Sequence, residues 1–166
     1  MCGLLGMLAA TGNVDKYVDA LERSLPCMRH RGPDAAGTWH DGDAAFGFNR
    51  LSIIDLEHSH QPLRWGPEDQ PDRYAMTFNG EIYNYVELRE ELKGLGYTFH
   101  TEGDGEPIVV GYHHWGKDVV NHLRGMFGIV IWDTHTKTMF AARDQFGIKP
   151  LYYACLLYTS PSPRDR

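Results

Sequence analysis

The chain has 166 residues, of which 42 % are hydrophobic, enough apolar material for the core of one domain. It carries 16 Lys and Arg against 22 Asp and Glu, and the net charge of −6 argues against a nucleic-acid-binding module with a basic face. No apolar run reaches the roughly 18 residues of a membrane span, and three scattered cysteines do not make a disulfide framework, so a reducing cytoplasm is predicted.

The first half of the chain is predicted to be mostly strands. Short apolar or alternating runs predict strands over Cys2–Ala10, Gly37–His40 and Ala44–Asn49. Asp41-Gly42 is a strong turn signal, so the last two strands are predicted to form a hairpin. Apolar residues at three- and four-residue spacing from Val14 onwards predict a helix that Pro26 ends. Residues 55–73 hold three prolines and are predicted to form a long loop.

The second half mixes strands and helices without regular βαβ units, which is typical of an α+β fold. The predicted elements are Tyr74–Phe78, Tyr85–Leu95, Glu106–Trp115, Met126–Asp133 and Thr138–Arg143. Asn79-Gly80 is expected to break the strand before it. A further strand is expected to begin at Leu151–Ala154. The Ser- and Pro-rich segment 155–166 has no core pattern, so it is predicted to be a disordered tail outside a domain of residues 1–154.

Cys2 is the first candidate for chemistry. Removal of Met1 would make it the N-terminal residue, with a thiol nucleophile and an α-amine base in the same residue. The alternative is a small buried hydrophobic side chain, which is the usual fate of a free cysteine. Asn79-Gly80, taken alone, likewise favours a hairpin turn. Neither position by itself distinguishes a catalytic role from a structural one.

Several other segments accompany Met1-Cys2-Gly3 at wide spacing. They are Arg29-His30-Arg31-Gly32-Pro33-Asp34, Gly47-Phe48-Asn49-Arg50-Leu51-Ser52-Ile53-Ile54-Asp55, Phe78-Asn79-Gly80-Glu81-Ile82-Tyr83-Asn84 and Gly103-Asp104-Gly105-Glu106. Together they resemble the class II glutamine amidotransferase domain of N-terminal-nucleophile hydrolases. Ser59-His60-Gln61-Pro62-Leu63 and the segment from Ala142 to Tyr153 are similar, more narrowly, to glutamine-hydrolysing asparagine synthetases. The resemblance covers essentially all of residues 1–154.

The resemblance implies a role for each matching residue. Cys2 would be the nucleophile, and the Asn79 side chain with the Gly80 backbone N–H would stabilise the oxyanion of the tetrahedral intermediate. The substrate pocket would be lined by Arg50, Leu51, Ile53, Glu81 and Asp104. In it, Arg50 would bind the α-carboxylate of L-glutamine and Asp104 the α-ammonium group, with Glu81 close by. The loop Arg29–Asp34 is expected near the nucleophile.

The fold implied is a four-layer αββα sandwich, with two mostly antiparallel sheets flanked by helices. No cofactor is implied for this part of the protein. ATP and Mg²⁺ belong to a C-terminal synthetase domain, which is absent here and would activate aspartate for attack by the released ammonia. Full-length relatives allow a homodimer, and neither a nucleic acid nor a membrane is an expected partner. His58, His60, His113 and His114 lack partners at metal-ligand spacing, so no metal site is predicted.

Two other interpretations stay open. The ammonia could go to another acceptor, a sugar phosphate or a cell-wall carboxylate. Glu81-Ile82-Tyr83-Asn84 counts against the sugar-phosphate branch, and acceptor choice belongs to the absent domain. Alternatively, the chain could be a truncated fragment without catalytic activity.

Overall fold

The computed structural model describes residues 2–9, 13–51 and 60–155. In chain order these form β1 (Gly3–Leu8), α1 (Asp15–Ser24), β2 (Ala35–His40), β3 (Ala44–Arg50), β4 (Leu63–Trp65), β5 (Tyr74–Ile82), α2 (Tyr85–Gly94), α3 (Glu106–Trp115), β6 (Gly125–Asp133) and β7 (Thr138–Arg143). Short 3-10 helices follow α1 and α3, at Leu25–Met28 and Gly116–Asn121. Within the described ranges, no helix is both long and apolar enough to cross a membrane.

The strands form two antiparallel sheets. The first has the order β1-β3-β2, and the second has the order β4-β5-β6-β7. In the first sheet Gly3 lies opposite Asn49. In the second, β5 and β6 pair over nine residues, with Asn79 opposite Gly128. These registers determine which side chains share an end of each sheet.

Alternation along the strands sorts the side chains into layers. On β3, Ala45 and Gly47 face α1, whereas Ala44 and Phe46 face the second sheet. On β5, Ala75 faces the first sheet, and its neighbours on the strand pack against α2 and α3. A buried cluster between the sheets contains Ala44, Phe46, Ala75, Val130 and Trp132. The order of layers is therefore helix, sheet, sheet, helix, which confirms the predicted αββα sandwich.

One hydrogen bond shows how the two sheets align. The indole Nε1 of Trp132 donates to the Asp41 carboxylate at 2.7 Å, which joins the two sheets at the β2–β3 turn. Cys2 lies at the other end of the first sheet, because β1 runs antiparallel to β3. Asn79 lies at the corresponding end of the second sheet, since Trp132 pairs with Ala75 at the start of β5. The nucleophile candidate and Asn79 thus share one end of the sandwich.

The β2–β3 hairpin and the three predicted helices are confirmed, but three local predictions are wrong. Asn79-Gly80 does not end its strand, because pairing with β6 continues to Ile82 and outweighs the local turn preference. The predicted loop 55–73 contains the short strand β4, paired with β5. Residues 151–155 form no strand. Residues 156–166 lie outside the described part of the chain, so their disorder stays a prediction.

Candidate active site

The sulfur of Cys2 lies beside the backbone of Leu51. The Leu51 N–H donates to Sγ at 3.4 Å, and the Leu51 carbonyl oxygen is 3.7 Å from the same atom. The β1–β3 register explains this contact: Gly3 lies opposite Asn49, so the preceding residue meets the chain just beyond β3. The two contacts hold the sulfur of Cys2 at the end of the first sheet, just beyond the last residue of β3.

Arg50 ends β3 and is only 7 % exposed. Its carbonyl oxygen accepts a hydrogen bond from Asp34 N–H at 3.0 Å. Gly32 packs so tightly against the backbone of Asn49 that a Cβ there would collide with the Asn49 carbonyl. The loop Arg29–Asp34 therefore lies against the strand end that carries Arg50. This placement agrees with the expectation of a loop near the nucleophile.

The free edge of β5 carries the second half of the site. The register of β4 ends at Leu63 opposite Met76, so later residues of β5 have no strand on this side among the described residues. Phe78 bonds here to the side chain of Gln61: its N–H donates to Oε1 at 2.7 Å, and its carbonyl accepts from Nε2 at 3.1 Å. Four residues later, the Ile82 N–H donates to the Asp104 carboxylate at 3.0 Å.

Gly80 lies midway between Phe78 and Ile82. Alternate residues of a strand direct their N–H groups to the same side, so the Gly80 N–H points to the edge that Phe78 and Ile82 share. In the part of the chain that the structure describes, no strand pairs with β5 at this position. A Cβ at Gly80 would collide with the carbonyl oxygen of Met126, so the close pairing with β6 requires glycine. The Asn79 side chain is on the same face as Ala75, and it therefore faces the first sheet.

The Asp104 carboxylate lies near a second carboxylate, that of Glu81. Burial raises the pKa of the Asp104 carboxyl, the hydrogen bond from Ile82 N–H opposes that rise, and the nearby Glu81 carboxylate adds to it. A carboxylate in this setting gains more from a bound cation than an exposed one does, because low solvation strengthens the attraction. The pair Asp104 and Glu81 suits a ligand that carries an ammonium group.

The structure thus groups most of the predicted site residues at one end of the sandwich. Arg50 ends a strand of the first sheet, and Cys2 and Leu51 lie directly beyond strand ends of that sheet. Asn79, Gly80 and Glu81 are on β5 of the second sheet, and Asp104 bonds to the edge of that strand. Ile53 lies outside the described residues. A nucleophile, N–H donors for an oxyanion, a guanidinium and two carboxylates suit attack on an amide of a zwitterionic amino acid.

Sequence reasoning missed the role of Gln61. Its side chain bonds to the backbone of Phe78, where a longer β4 would continue its pairing with β5. Phe78 directly precedes Asn79 and Gly80. The motif Ser59-His60-Gln61-Pro62-Leu63 contains Gln61, but the resemblance assigns this residue no role. The available signal was a glutamine immediately before Pro62 and a short apolar run, and that pattern alone does not indicate which backbone the amide binds.

The chain is similar in sequence to several known proteins. The chain is 57 % identical over 165 residues to a Mycobacterium tuberculosis protein provisionally named glutamine-hydrolysing asparagine synthetase, covering 93 % of this chain and 25 % of the relative. It is 44 % identical over 161 residues to glutamine-hydrolysing asparagine synthetase 1 of Bacillus subtilis, covering 94 % and 24 %. A Gibberella zeae protein named Amidase chry2 is 36 % identical over 165 residues, covering 92 % and 24 %. The chain spans about a quarter of the length of these relatives.

Two solved structures share the fold. Glutamine phosphoribosylpyrophosphate amidotransferase from B. subtilis, complexed with ADP and GMP, superposes with a TM-score of 0.63 at 20 % identity, covering 86 % of this chain and 36 % of that one. The allosteric regulatory enzyme of purine biosynthesis gives 0.54 at 23 % identity, covering 66 % and 25 %. The family of glutamine amidotransferase domains matches residues 1–160. On this match and on the shared fold, the chain belongs to the glutamine amidotransferase domain family.

Proposed function

We propose that the chain hydrolyses the side-chain amide of L-glutamine through Cys2, as the glutaminase half of a glutamine-hydrolysing asparagine synthetase. The observation that carries the proposal is the contact of Cys2 Sγ with Leu51 N–H, at the end of the sandwich where the edge of β5 offers Gly80 N–H and Asp104. The names of the M. tuberculosis and B. subtilis relatives support the choice of synthetase.

The proposed reaction uses the chain's own groups. With Met1 removed, the α-amine of Cys2 takes the thiol proton, and Sγ attacks the side-chain carbonyl carbon of glutamine. Asn79 Nδ2 and Gly80 N–H stabilise the oxyanion of the tetrahedral intermediate. The amide nitrogen takes the proton back and leaves as ammonia, which gives a thioester on Cys2. Water then hydrolyses the thioester to glutamate and restores the thiol.

The substrate is proposed to lie between the two sheets with its charged ends held apart. Arg50 binds the α-carboxylate, because a planar guanidinium can make two parallel hydrogen bonds to it. Asp104, with Glu81 beside it, binds the α-ammonium group. Backbone groups of Leu51 and Ile53 complete the pocket. Such a pocket prefers a free amino acid over a peptide-linked glutamine, which carries neither terminal charge.

The fate of the ammonia is proposed for the whole protein. It would attack aspartate activated by ATP and Mg²⁺ in a C-terminal synthetase domain, and hydrolysis itself would need no cofactor. The compartment proposed is the cytoplasm, since the cysteines at 2, 27 and 155 are all unpaired. A homodimer of the full-length enzyme belongs to the same proposal.

The hydrolysis is tested with protein released from a cleavable fusion so that Cys2 is the N-terminal residue. Glutamate and ammonia should form in equal amounts, and Cys2→Ala should abolish both. Cys27→Ala is the matched control, because Cys27 is an exposed free cysteine on the first 3-10 helix. Equal activity of the Cys2→Ala variant and the parent would refute the proposal.

A second measurement locates the covalent step. A glutamine-like electrophile should modify Cys2 alone, as read by mass spectrometry, and free glutamine should slow the labelling. Modification of Cys27 at the same rate would contradict a built nucleophile at Cys2. For the full-length protein, glutamine-dependent formation of asparagine from aspartate and ATP tests the acceptor, with sugar phosphates as the comparison.

A further inference from the structure

A buried arginine on α2 makes a contact that the proposed reaction does not use. Arg89 is 5 % exposed. Its Nη2 donates to the carbonyl oxygen of Gly103 at 2.8 Å, and its guanidinium carbon lies 5.2 Å from the centre of the Phe99 ring. Its Nη1 pairs with Glu102, whose side chain is largely exposed. Arg89 therefore connects α2 to the backbone directly before Asp104.

The position of Asp104 depends on this backbone. On the sheet side, the Asp104 carboxylate accepts from Ile82 N–H. On the helix side, Arg89 holds the carbonyl of the preceding residue. At the start of the same loop, the N–H groups of His100 and Thr101 donate to the buried carboxylate of Glu106, the first residue of α3. The loop is thus held by side chains on both helices and by the end of β5.

Packing alone does not explain an arginine at this place. A buried guanidinium loses its hydration, and an apolar side chain of similar length would avoid that loss. Among the described residues, the Nε of Arg89 has no hydrogen-bond partner, so the charge is incompletely compensated. The exposed pairing with Glu102 adds little, because solvent screens it. The hydrogen bond to the Gly103 carbonyl is the contact of Arg89 that can affect the site, because Gly103 directly precedes Asp104.

We propose that Arg89 is a positioning residue for the glutamine α-ammonium group: by holding the Gly103 carbonyl, it keeps the Asp104 carboxylate where that group binds. The inference rests on the proposed function and deepens it, because it assigns part of the amino-acid specificity to a residue on α2. Arg89 does not contact the substrate. Its loss should weaken binding of ligands that carry the ammonium group and leave other ligands unaffected.

The test compares two ligands in a Cys2→Ala background, where binding is measured without turnover. L-Glutamine carries the α-ammonium group, and glutaramate is the same molecule without it. By calorimetry, Arg89→Met should raise the Kd of glutamine roughly tenfold and change the Kd of glutaramate less than twofold. Lys93→Met is the matched control, because Lys93 is on the same helix in an exposed pair with Glu90. It should change neither Kd.

The outcomes separate the two proposals. A parent chain that binds no glutamine overturns the proposed function and this inference with it. If the parent binds glutamine and Arg89→Met loses the same affinity for both ligands, Arg89 has only a structural role. That result overturns the inference alone. If Arg89→Met does not melt cooperatively, Arg89→Lys decides, since an ammonium can still reach the Gly103 carbonyl. A rise of about threefold in the Kd of glutamine relative to the parent, with the Kd of glutaramate unchanged, supports positioning. No difference between the two ligands in Arg89→Lys refutes it.

Discussion

Replacing Gln61 by Met is expected to destabilise the edge of β5. The side chain makes two hydrogen bonds to Phe78, at 2.7 and 3.1 Å, and each contributes about 1 kcal/mol. Met has a similar length but leaves the N–H and carbonyl of Phe78 without these partners. Because Gln61 is only partly buried, water can replace part of the loss. The free energy of unfolding should therefore fall by about 1–2 kcal/mol, which corresponds to about 2–8 °C in Tm for a chain of this size.

The assay is thermal unfolding followed by circular dichroism, with Gln70→Met as the matched control. The hydrogen bonds recorded for Gln70 involve its backbone, so the same substitution there should change Tm by less than about 1 °C. The Gln61 variant should also hydrolyse glutamine more slowly, roughly tenfold, because Asn79 and Gly80 follow Phe78 directly. Equal melting temperatures for the two variants would refute the assignment of the strand edge to Gln61.

A Gln61→Glu variant tests separately the hydrogen bond that the Gln61 amide donates to the Phe78 carbonyl. Its carboxylate can still accept from Phe78 N–H, but it faces the Phe78 carbonyl without a proton to donate. Protonation restores that donor, so the folded state should raise the pKa of the new carboxyl above the ordinary value of about 4.3. The stabilising contribution is then present at low pH and is lost as pH rises through the raised pKa. The deficit relative to the parent should be smaller at pH 4 than at pH 7.

The remaining predictions concern the partly buried Asp104 and the buried residues Asp144 and Thr77. Burial raises the pKa of Asp104, so ionisation of this carboxyl lowers the stability of the fold as pH rises. Asp104→Asn should therefore melt at a higher temperature than the parent at pH 7, and the gain in Tm should be smaller at pH 3. The same variant should bind glutamine at least tenfold more weakly. Burial alone would raise the pKa of Asp144, but four backbone N–H groups between residues 127 and 149 lower it. Asp144→Asn should therefore cost about 2–3 kcal/mol at neutral pH, and the loss should shrink as pH falls below 4. Thr77 is fully buried with its hydroxyl unpartnered among the described residues, so Thr77→Val should raise the free energy of unfolding by about 1 kcal/mol in a urea titration.

Three results would contradict these expectations. An Asp104→Asn gain that is the same at both pH values would mean that its carboxyl is not the titrating group. An Asp144→Asn loss that persists at pH 3 would point to packing rather than charge. A lower urea midpoint for Thr77→Val would show that the hydroxyl has a partner or that the added methyl does not fit.

Local patterns predicted most elements because their signals are short in range. Glu106–Trp115 is predicted with its observed bounds, since Pro107 suits a first helical turn. In the structure Gly116, with φ of 60°, directly follows the last residue of this helix. The Asp41-Gly42 turn likewise has its glycine at φ of 89°. Asn79-Gly80 misled for the opposite reason. The turn preference of two residues is weak beside the nine-residue pairing of β5 with β6.

The sequence by itself determined the family, and it predicted the nucleophile at Cys2 and the candidate pocket residues, because these are read from residue types in ordered motifs. Only the tertiary structure decided how the groups are held. The sulfur of Cys2 meets Leu51 across 49 positions, Gln61 reaches Phe78 across 17, and Asp104 meets Ile82 across 22. Such contacts depend on strand register and on which edge a neighbouring strand leaves uncovered. No local pattern contains that information, since the pairing energy comes from residues distant in the chain.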